Sequence, residues 1–473
     1  MKSINGWKIY ELTSNRSLYA RHAYVDRRWT NQGAWHVRVY AVLVGDAIFG
    51  RGKLYCMLQK TSLDQQISAH VTVDAYVYER SMKEIRLNNK IVHRVMITCR
   101  VPELTYYTKV LVTSAVSCTV PKDVELLDIK TIESSSPDSR VIGVCVPLAY
   151  GHFDDVDAVR LVEWIEINRM FGVSEINIYN VTMTVTEKYG AVLDYYVEQK
   201  VVRLHHIPPP LQTWPQSDTY NISKFADLVV LNECMMDNMY RYSYVIVIDF
   251  DDVMVPRAKP NSTYEQVLAS ALVYGQTSRR IASYLIRDAL FYLDLQEHES
   301  SSVQVPDYLS TLRHTIRIGN GQQLSNPKQV TNPRLCVHLY IHYCDQVFTS
   351  DDVDKPAYNL AYVSAQQMLV HHYRKSCRAK WRAGVRHEDR VATSRCRHVR
   401  KSLRHNNNGR GLADTFMLRY AQRLVERVGP VLARFNLLAV MTSHDRRQLR
   451  ASAKRPLHFL LPHYQKQIAA NAV

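Results

Sequence analysis

From Trp7 to Val120 apolar and polar residues alternate in short runs, as in Trp35-His36-Val37-Arg38-Val39-Tyr40-Ala41-Val42-Leu43-Val44, 54–58, 71–78 and 95–99. A period of two, interrupted by Gly, Asn and Asp and rich in β-branched and aromatic residues, predicts antiparallel strands. A β-sandwich is the expected product. Between Pro121 and Arg140 the alternation stops, and Glu133-Ser134-Ser135-Ser136-Pro137-Asp138 has the composition of a linker. The chain therefore divides into a β-rich domain over 1–138 and a second domain over 139–473.

The second domain alternates strands with helices. Val141–Pro147 reads as a strand, and Asp155–Phe171 reads as a helix that Gly172 closes. Strand Glu175–Asn180, helix Glu187–Gln199, strand Val201–His205 and helix Ser223–Tyr240 follow. Tyr244-Val245-Ile246-Val247-Ile248-Asp249 is a continuous apolar strand of the kind buried on both faces. Such βαβ units predict a mainly parallel sheet with helices on both sides and ligands beyond the carboxyl ends of the strands. The pattern is less clear from Pro306 to Cys344. Gly411–Val428 reads as an amphipathic helix that Gly429-Pro430 ends.

Composition narrows the class. At 473 residues with 46% hydrophobic and 22% charged residues, the chain is globular and too long for one ordinary core. Its formal charge of +16 suits anionic partners, and the surplus gathers in Arg374–Arg404. That run lacks interleaved stacking aromatics, and no nucleic-acid-binding signature occurs, so it reads as a solvated face and nucleic acid is not an expected partner. The nine cysteines form no C-x-x-C pair, which excludes a zinc ribbon, and Cys145 in its apolar run is expected to be a buried free thiol. Sequons at Asn15, Asn180, Asn221 and Asn261 weakly favour a secretory lumen. No apolar run reaches the roughly 18 residues that span a bilayer, and Met1–Ser17 has no signal-peptide core, so any targeting segment is expected outside this sequence.

The candidate chemistry lies in Asp249-Phe250-Asp251-Asp252, carboxylates at the exit of a buried strand, where a cation must compensate them. Alternation puts Asp249 and Asp251 on one side. Two hard oxygen donors suit Mn²⁺ or Mg²⁺ carrying a diphosphate, whose developing charge the metal neutralises.

Further residues carry a resemblance. Val144–Gly151, Leu161–Glu166, Phe171-Gly172-Val173 and Ile178-Tyr179-Asn180 look like the start of the catalytic domain of glycosyltransferase family 92. Leu231-Asn232-Glu233-Cys234, Ile248–Pro256, Val370-His371-His372-Tyr373-Arg374 and the upstream Ala23–Arg28 are similar to further motifs of that family. The resemblance implies a GT-A fold, a divalent metal, a UDP-sugar donor, galactose in characterised members, inversion at the anomeric carbon and a Golgi setting with the membrane anchor outside this sequence. It implies Asp249 and Asp251 as metal ligands, with His338 and His372 as candidates to complete the set. Asp249, Pro147, Tyr150, Asn232 and Arg374 are the implied donor-binding residues. Inversion needs a carboxylate base for the acceptor hydroxyl, with Asp288, Glu297 and Glu299 in the right part of the chain. Trp214 is a candidate to stack on a sugar. Asp252 stands where the family has Glu, and Ala226-Asp227 replaces its Gly-Gln, which puts donor identity in doubt. A weakened glycan-binding or scaffold protein on the same fold is the second reading. Acceptor recognition, a spacer and a homodimer surface remain open roles for the N-terminal domain.

Overall fold

The computed structural model describes residues 2–28, 35–45, 53–61, 68–87, 90–101, 107–116, 124–132, 142–207, 219–271, 281–293, 305–318, 327–347, 359–374 and 412–440. The alternating N-terminal runs form β1 (Lys2–Ile4), β2 (Trp7–Thr13), β3 (Arg16–Asp26), β4 (Trp35–Gly45), β5 (Leu54–Thr61), β6 (Ser68–Leu87), β7 (Lys90–Val101), β8 (Tyr107–Thr113) and β9 (Leu127–Thr131). They make one sheet in the order β1-β2-β3-β4-β7-β6-β5-β8-β9, and β9 also pairs in parallel with β3. The sheet therefore closes on itself. The expected sandwich is corrected to a barrel, because alternation predicts strands and one buried face but not which strand closes the sheet. The Cys56–Cys99 disulfide lies inside the barrel core with Val39, Ile97 and Val110.

The second domain opens with β10 (Ile142–Phe153), α1 (Asp155–Met170), β11 (Glu175–Val185), α2 (Glu187–Glu198), β12 (Val202–His206), α3 (Thr219–Asp237), β13 (Tyr244–Val247) and β14 (Asp252–Pro256). Asp154 and Asp157 form a capping box at the start of α1, and Gly172, at φ +97°, lets the chain leave its far end. After α4 (Tyr264–Ala271) come β15 (Ile281–Ile286), β16 (Asp288–Tyr292), α5 (Ser310–Arg313), β17 (Ile316–Ile318), β18 (Lys328–Thr331), β19 (Cys336–Leu339), β20 (Cys344–Val347), β21 (Asn359–Val363) and β22 (Met368–Arg374).

The main sheet runs β12-β11-β10-β13-β18-β15-β21. Its first four strands are mutually parallel, as predicted, but β18 runs antiparallel to both β13 and β15, so the sheet is mixed. A second sheet begins β14-β22-β16. The domain boundary expected at 138/139 falls outside the described residues.

The C-terminal helix spans Ala421–Arg434 and runs through Pro430, where the sequence predicted a stop. An interior proline costs a helix about 3 kcal/mol. Burial of Leu424, Val428, Val431 and Leu432 on one stripe against α1 offsets that cost.

Barrel and second domain share one core, in which Trp7 and Tyr19 meet Phe225 of α3 edge-on at 5.9 and 5.5 Å. Asp227 of α3 is buried there and pairs with Arg94 of β7 at 3.1 Å. The Ala226-Asp227 departure thus belongs to the contact with the barrel. Cys145 is not a free thiol: it is bonded to Cys234, which ties β10 to α3.

A candidate metal centre at the strand exit

The chain leaves β13 at Val247 and turns through residues 248–251 before β14 begins in the second sheet. Hydrogen bonds hold this turn, among them one from the Asp249 amide to the Asp252 carboxylate at 3.2 Å. Trp164 Nε1 donates to the Asp252 carbonyl at 2.8 Å, the Tyr373 amide to the Asp251 carbonyl at 2.7 Å, and the Asp252 amide to the Asp249 carbonyl at 3.1 Å. Phe250 packs edge-on against Trp164 and Phe153. Because the backbone turns here, the two-residue alternation that would align Asp249 with Asp251 does not hold.

The carboxylates separate accordingly. Asp249 accepts from Lys328 Nζ at 2.7 Å and is not part of the cluster that gathers next to it. That cluster is Asp251, Asp252 and His372, whose ligand atoms all lie within 4.8 Å of one another. Asp252 pairs with His372 in the β14–β22 register, which brings the imidazole to the strand exit. His372 Nδ1 is 3.3 Å from Asp252 and Nε2 is 3.2 Å from Asp251. Asp251 is 46% exposed, so the cluster has one open side.

The electrostatics are those of a crowded acidic site. Burial pushes the Asp252 carboxyl above its usual range, against the pull of Lys328 and His372. Burial also opposes charge on Lys328, but Asp249 and Asp252 outweigh it and hold the ammonium on. His372 likewise resists charge through burial and is nevertheless raised by Asp252 and Asp251. Asp252 Oδ1 finds no hydrogen-bond partner among the described residues. An orphaned buried carboxylate oxygen beside a second carboxylate and an imidazole is a donor set that fits a small divalent cation.

The match to glycosyltransferase family 92 covers residues 140–410, more than half of the chain and the whole of this site. The chain belongs to glycosyltransferase family 92. It is also similar to the beta-1,4-galactosyltransferase galt-1 of Caenorhabditis elegans, at 22% identity over 365 residues, which make up 73% of this chain and 78% of that protein. Among solved structures it is similar to residues 1–349 of TarS from S. aureus, at 10% identity and a TM-score of 0.25 over 62% of this chain and 72% of that one. A mycobacterial protein is similar at 11% identity and a TM-score of 0.22 over 56% and 77%.

In this family 92 member Arg374, at the end of β22, donates from Nε to His372 Nε2 at 3.1 Å, so it stands at the cluster. Pro147 and Tyr150 lie on β10, next to β13 in the main sheet, where the register with β11 shifts between Val146 and Tyr150. Asp288 opens β16 opposite Val370, two residues from the Leu290–His372 pair.

Two expected residues stand elsewhere. Asn232 is buried, and its amide donates to Leu228 O at 2.8 Å and Leu339 O at 2.9 Å while accepting from Leu339 N at 2.7 Å. One donor hydrogen bonds back to the α3 backbone and the other clips β19 to α3, so both are used and its place is structural. His338 points to the barrel, where it meets Tyr40 and Tyr78 rings and lies 3.5 Å from Asp345. It is not among the clustered ligands. Glu297, Glu299 and Trp214 lie outside the described residues.

Lys328 is an addition that sequence reasoning missed. It falls in the stretch whose pattern gave no clear elements, and an isolated Lys in such a stretch carries no signal of its own.

Proposed function

We infer that the chain moves a hexose, of the galactose class, from a UDP-sugar to a glycan hydroxyl with inversion, on a GT-A type domain. The clustering of Asp251, Asp252 and His372 at a strand exit inside the family 92 region carries this reading. Those three residues would hold Mn²⁺ or Mg²⁺, which when bound neutralises the charge developing on the leaving diphosphate.

The chain's own groups do the rest. The three carboxylates Asp249, Asp251 and Asp252, with Lys328 salt-bridged between two of them, leave two negative charges for a divalent ion to balance. Arg374 beside His372 supplies a planar cation for the diphosphate oxygens. Pro147 and Tyr150 line the donor side on β10, and Asp288 supplies negative charge on the acceptor side.

Three disulfides among the described residues suit folding in an oxidising compartment, in keeping with a Golgi or other secretory setting. No helix among the described residues is long and apolar enough to cross a membrane.

A second reading follows from Lys328, which already supplies a cation to Asp249 and Asp252. On that reading the protein binds glycan without metal or donor. Thermal unfolding with Mn²⁺, with UDP and with both separates the two: a transferase site gives a metal-dependent rise in Tm on adding UDP, and a metal-free binder gives none.

A further inference from the structure

Cys336 and Cys344 are joined by a disulfide that closes the β19–β20 hairpin. One side of this hairpin is held by the barrel: Tyr40 Oη donates to Val337 O at 2.9 Å and Tyr78 Oη to Asp345 at 2.6 Å. Its tip reaches β18, where Gln329 Nε2 donates to Tyr340 O and His342 Nδ1 lies 3.0 Å from Pro327 O.

That position matters because Pro327 precedes Lys328, the residue that grips Asp249 and Asp252. In the sheet Lys328 pairs with Ile286, and Asp288 follows two residues later. Hairpin tip, Lys328 and Asp288 therefore meet where β13 and β15 end. A carbonyl can only accept, so Nδ1 carries the proton and Nε2 of the neutral ring keeps its lone pair. Among the described residues no hydrogen bond engages Nε2. His342 is half-buried.

We propose that His342 is the catalytic base of this glycosyl transfer, with Nε2 taking the acceptor hydroxyl's proton; the inference rests on the transferase reading above. The acceptor oxygen forms its bond to the anomeric carbon as its proton passes to Nε2. The bond from that carbon to the β-phosphate oxygen breaks, and its electron pair leaves on UDP. Asp288, the carboxylate expected in this role from sequence, instead faces the imidazolium as a counter-charge. Burial, together with Lys328, keeps the ring below the usual histidine pKa and so neutral near pH 7, while Pro327 O, Asp249 and Asp288 pull the other way.

The test compares the full-length wild type with His342→Ala, His342→Gln and Asp288→Asn. UDP-galactose, Mn²⁺ and a pool of N-glycans released from a glycoprotein are the substrates. His342→Ala is expected to keep its Mn²⁺-dependent UDP shift in Tm and a KM for UDP-galactose within about twofold, while kcat falls roughly 10²- to 10⁴-fold. Added imidazole is expected to restore part of that rate in the alanine variant but not in His342→Gln. Asp288→Asn is expected to lose less rate than His342→Ala. A kcat for His342→Ala near the wild-type value overturns the inference. So does a loss that imidazole leaves unchanged in a His342→Ala protein that still binds UDP, or one that Asp288→Asn exceeds. A wild type that neither transfers galactose nor gains Tm from UDP overturns the transferase reading itself, and His342 with it.

Discussion

Lys328 Nζ lies 2.6 Å from the carboxylate of Asp252, both side chains buried, one at the head of β18 and the other at the head of β14. The pair joins the main sheet to the second sheet at the strand exit. It gives the acidic turn an internal cation, and the remaining negative charge faces the open side at Asp251.

Removing one partner of such a pair leaves a charge without compensation in the interior. Lys328→Met is therefore expected to destabilise the fold by about 3–5 kcal/mol, measured by guanidinium denaturation. Lys328→Met combined with Asp252→Asn is expected to recover most of that loss, since the buried Asp252 charge is gone and Asp249, which also loses its lysine, is half-exposed to water.

Asp26 in the barrel is held by Arg28 at 2.6 Å and Arg38 at 2.7 Å, and Arg28 continues to the Cys336 carbonyl of the β19–β20 hairpin. Burial opposes the Asp26 charge, but the two guanidiniums outweigh it and hold its carboxyl well below the usual range. With a depressed folded pKa, the unfolded chain binds the proton first as pH falls. The contribution of Asp26 is therefore complete above about pH 3.9 and is lost below it. Asp26→Asn is expected to cost about 3–5 kcal/mol at pH 7 and less at pH 3, read from denaturation curves at both.

Two disulfides in the second domain close loops of very different length, with sequence separations of 89 for Cys145–Cys234 and 8 for Cys336–Cys344. Chain entropy predicts losses of about 4.5 and about 2.5 kcal/mol on replacing each pair by alanine. Thermal unfolding of the two double variants checks the order. The short hairpin is expected to affect transfer more than its stability cost suggests, because His342 sits in it.

The alternating strands of the barrel, the order of β10 to β13 and the helices between them were all legible, because burial of one face or both imposes its own period. The acidic turn was legible as chemistry but not as geometry. The turn through Phe250 and Asp251 sends Asp249 to Lys328 and Asp252 to His372, and alternation along a strand cannot register a turn. Barrel closure through β3 and β9 joins residues about a hundred positions apart, and so leaves no local trace. Asn232 sits within a family motif and His338 was a candidate metal ligand, but both are held by backbone and ring contacts that only the fold creates.

Sequon use tests the secretory setting. Asn15 is exposed at the β2–β3 turn, whereas Asn180 is half-buried and its side chain accepts from Met183 N at 2.8 Å. In protein secreted from eukaryotic cells, mass spectrometry is expected to find glycan on Asn15 and none on Asn180. Glycan on Asn180, or a bare Asn15, would contradict this.

The claim that Asp251, Asp252 and His372 hold a divalent cation for a sugar nucleotide is tested most directly by calorimetric titration of Mn²⁺ into wild type and Asp251→Asn, each with UDP present. Asp251 is partly exposed, so its loss leaves the fold intact. The wild type is expected to bind one Mn²⁺ and the variant to bind at least tenfold more weakly, with UDP-galactose turnover falling in step. Equal Mn²⁺ affinity in the two proteins, or no binding to either, would contradict the account.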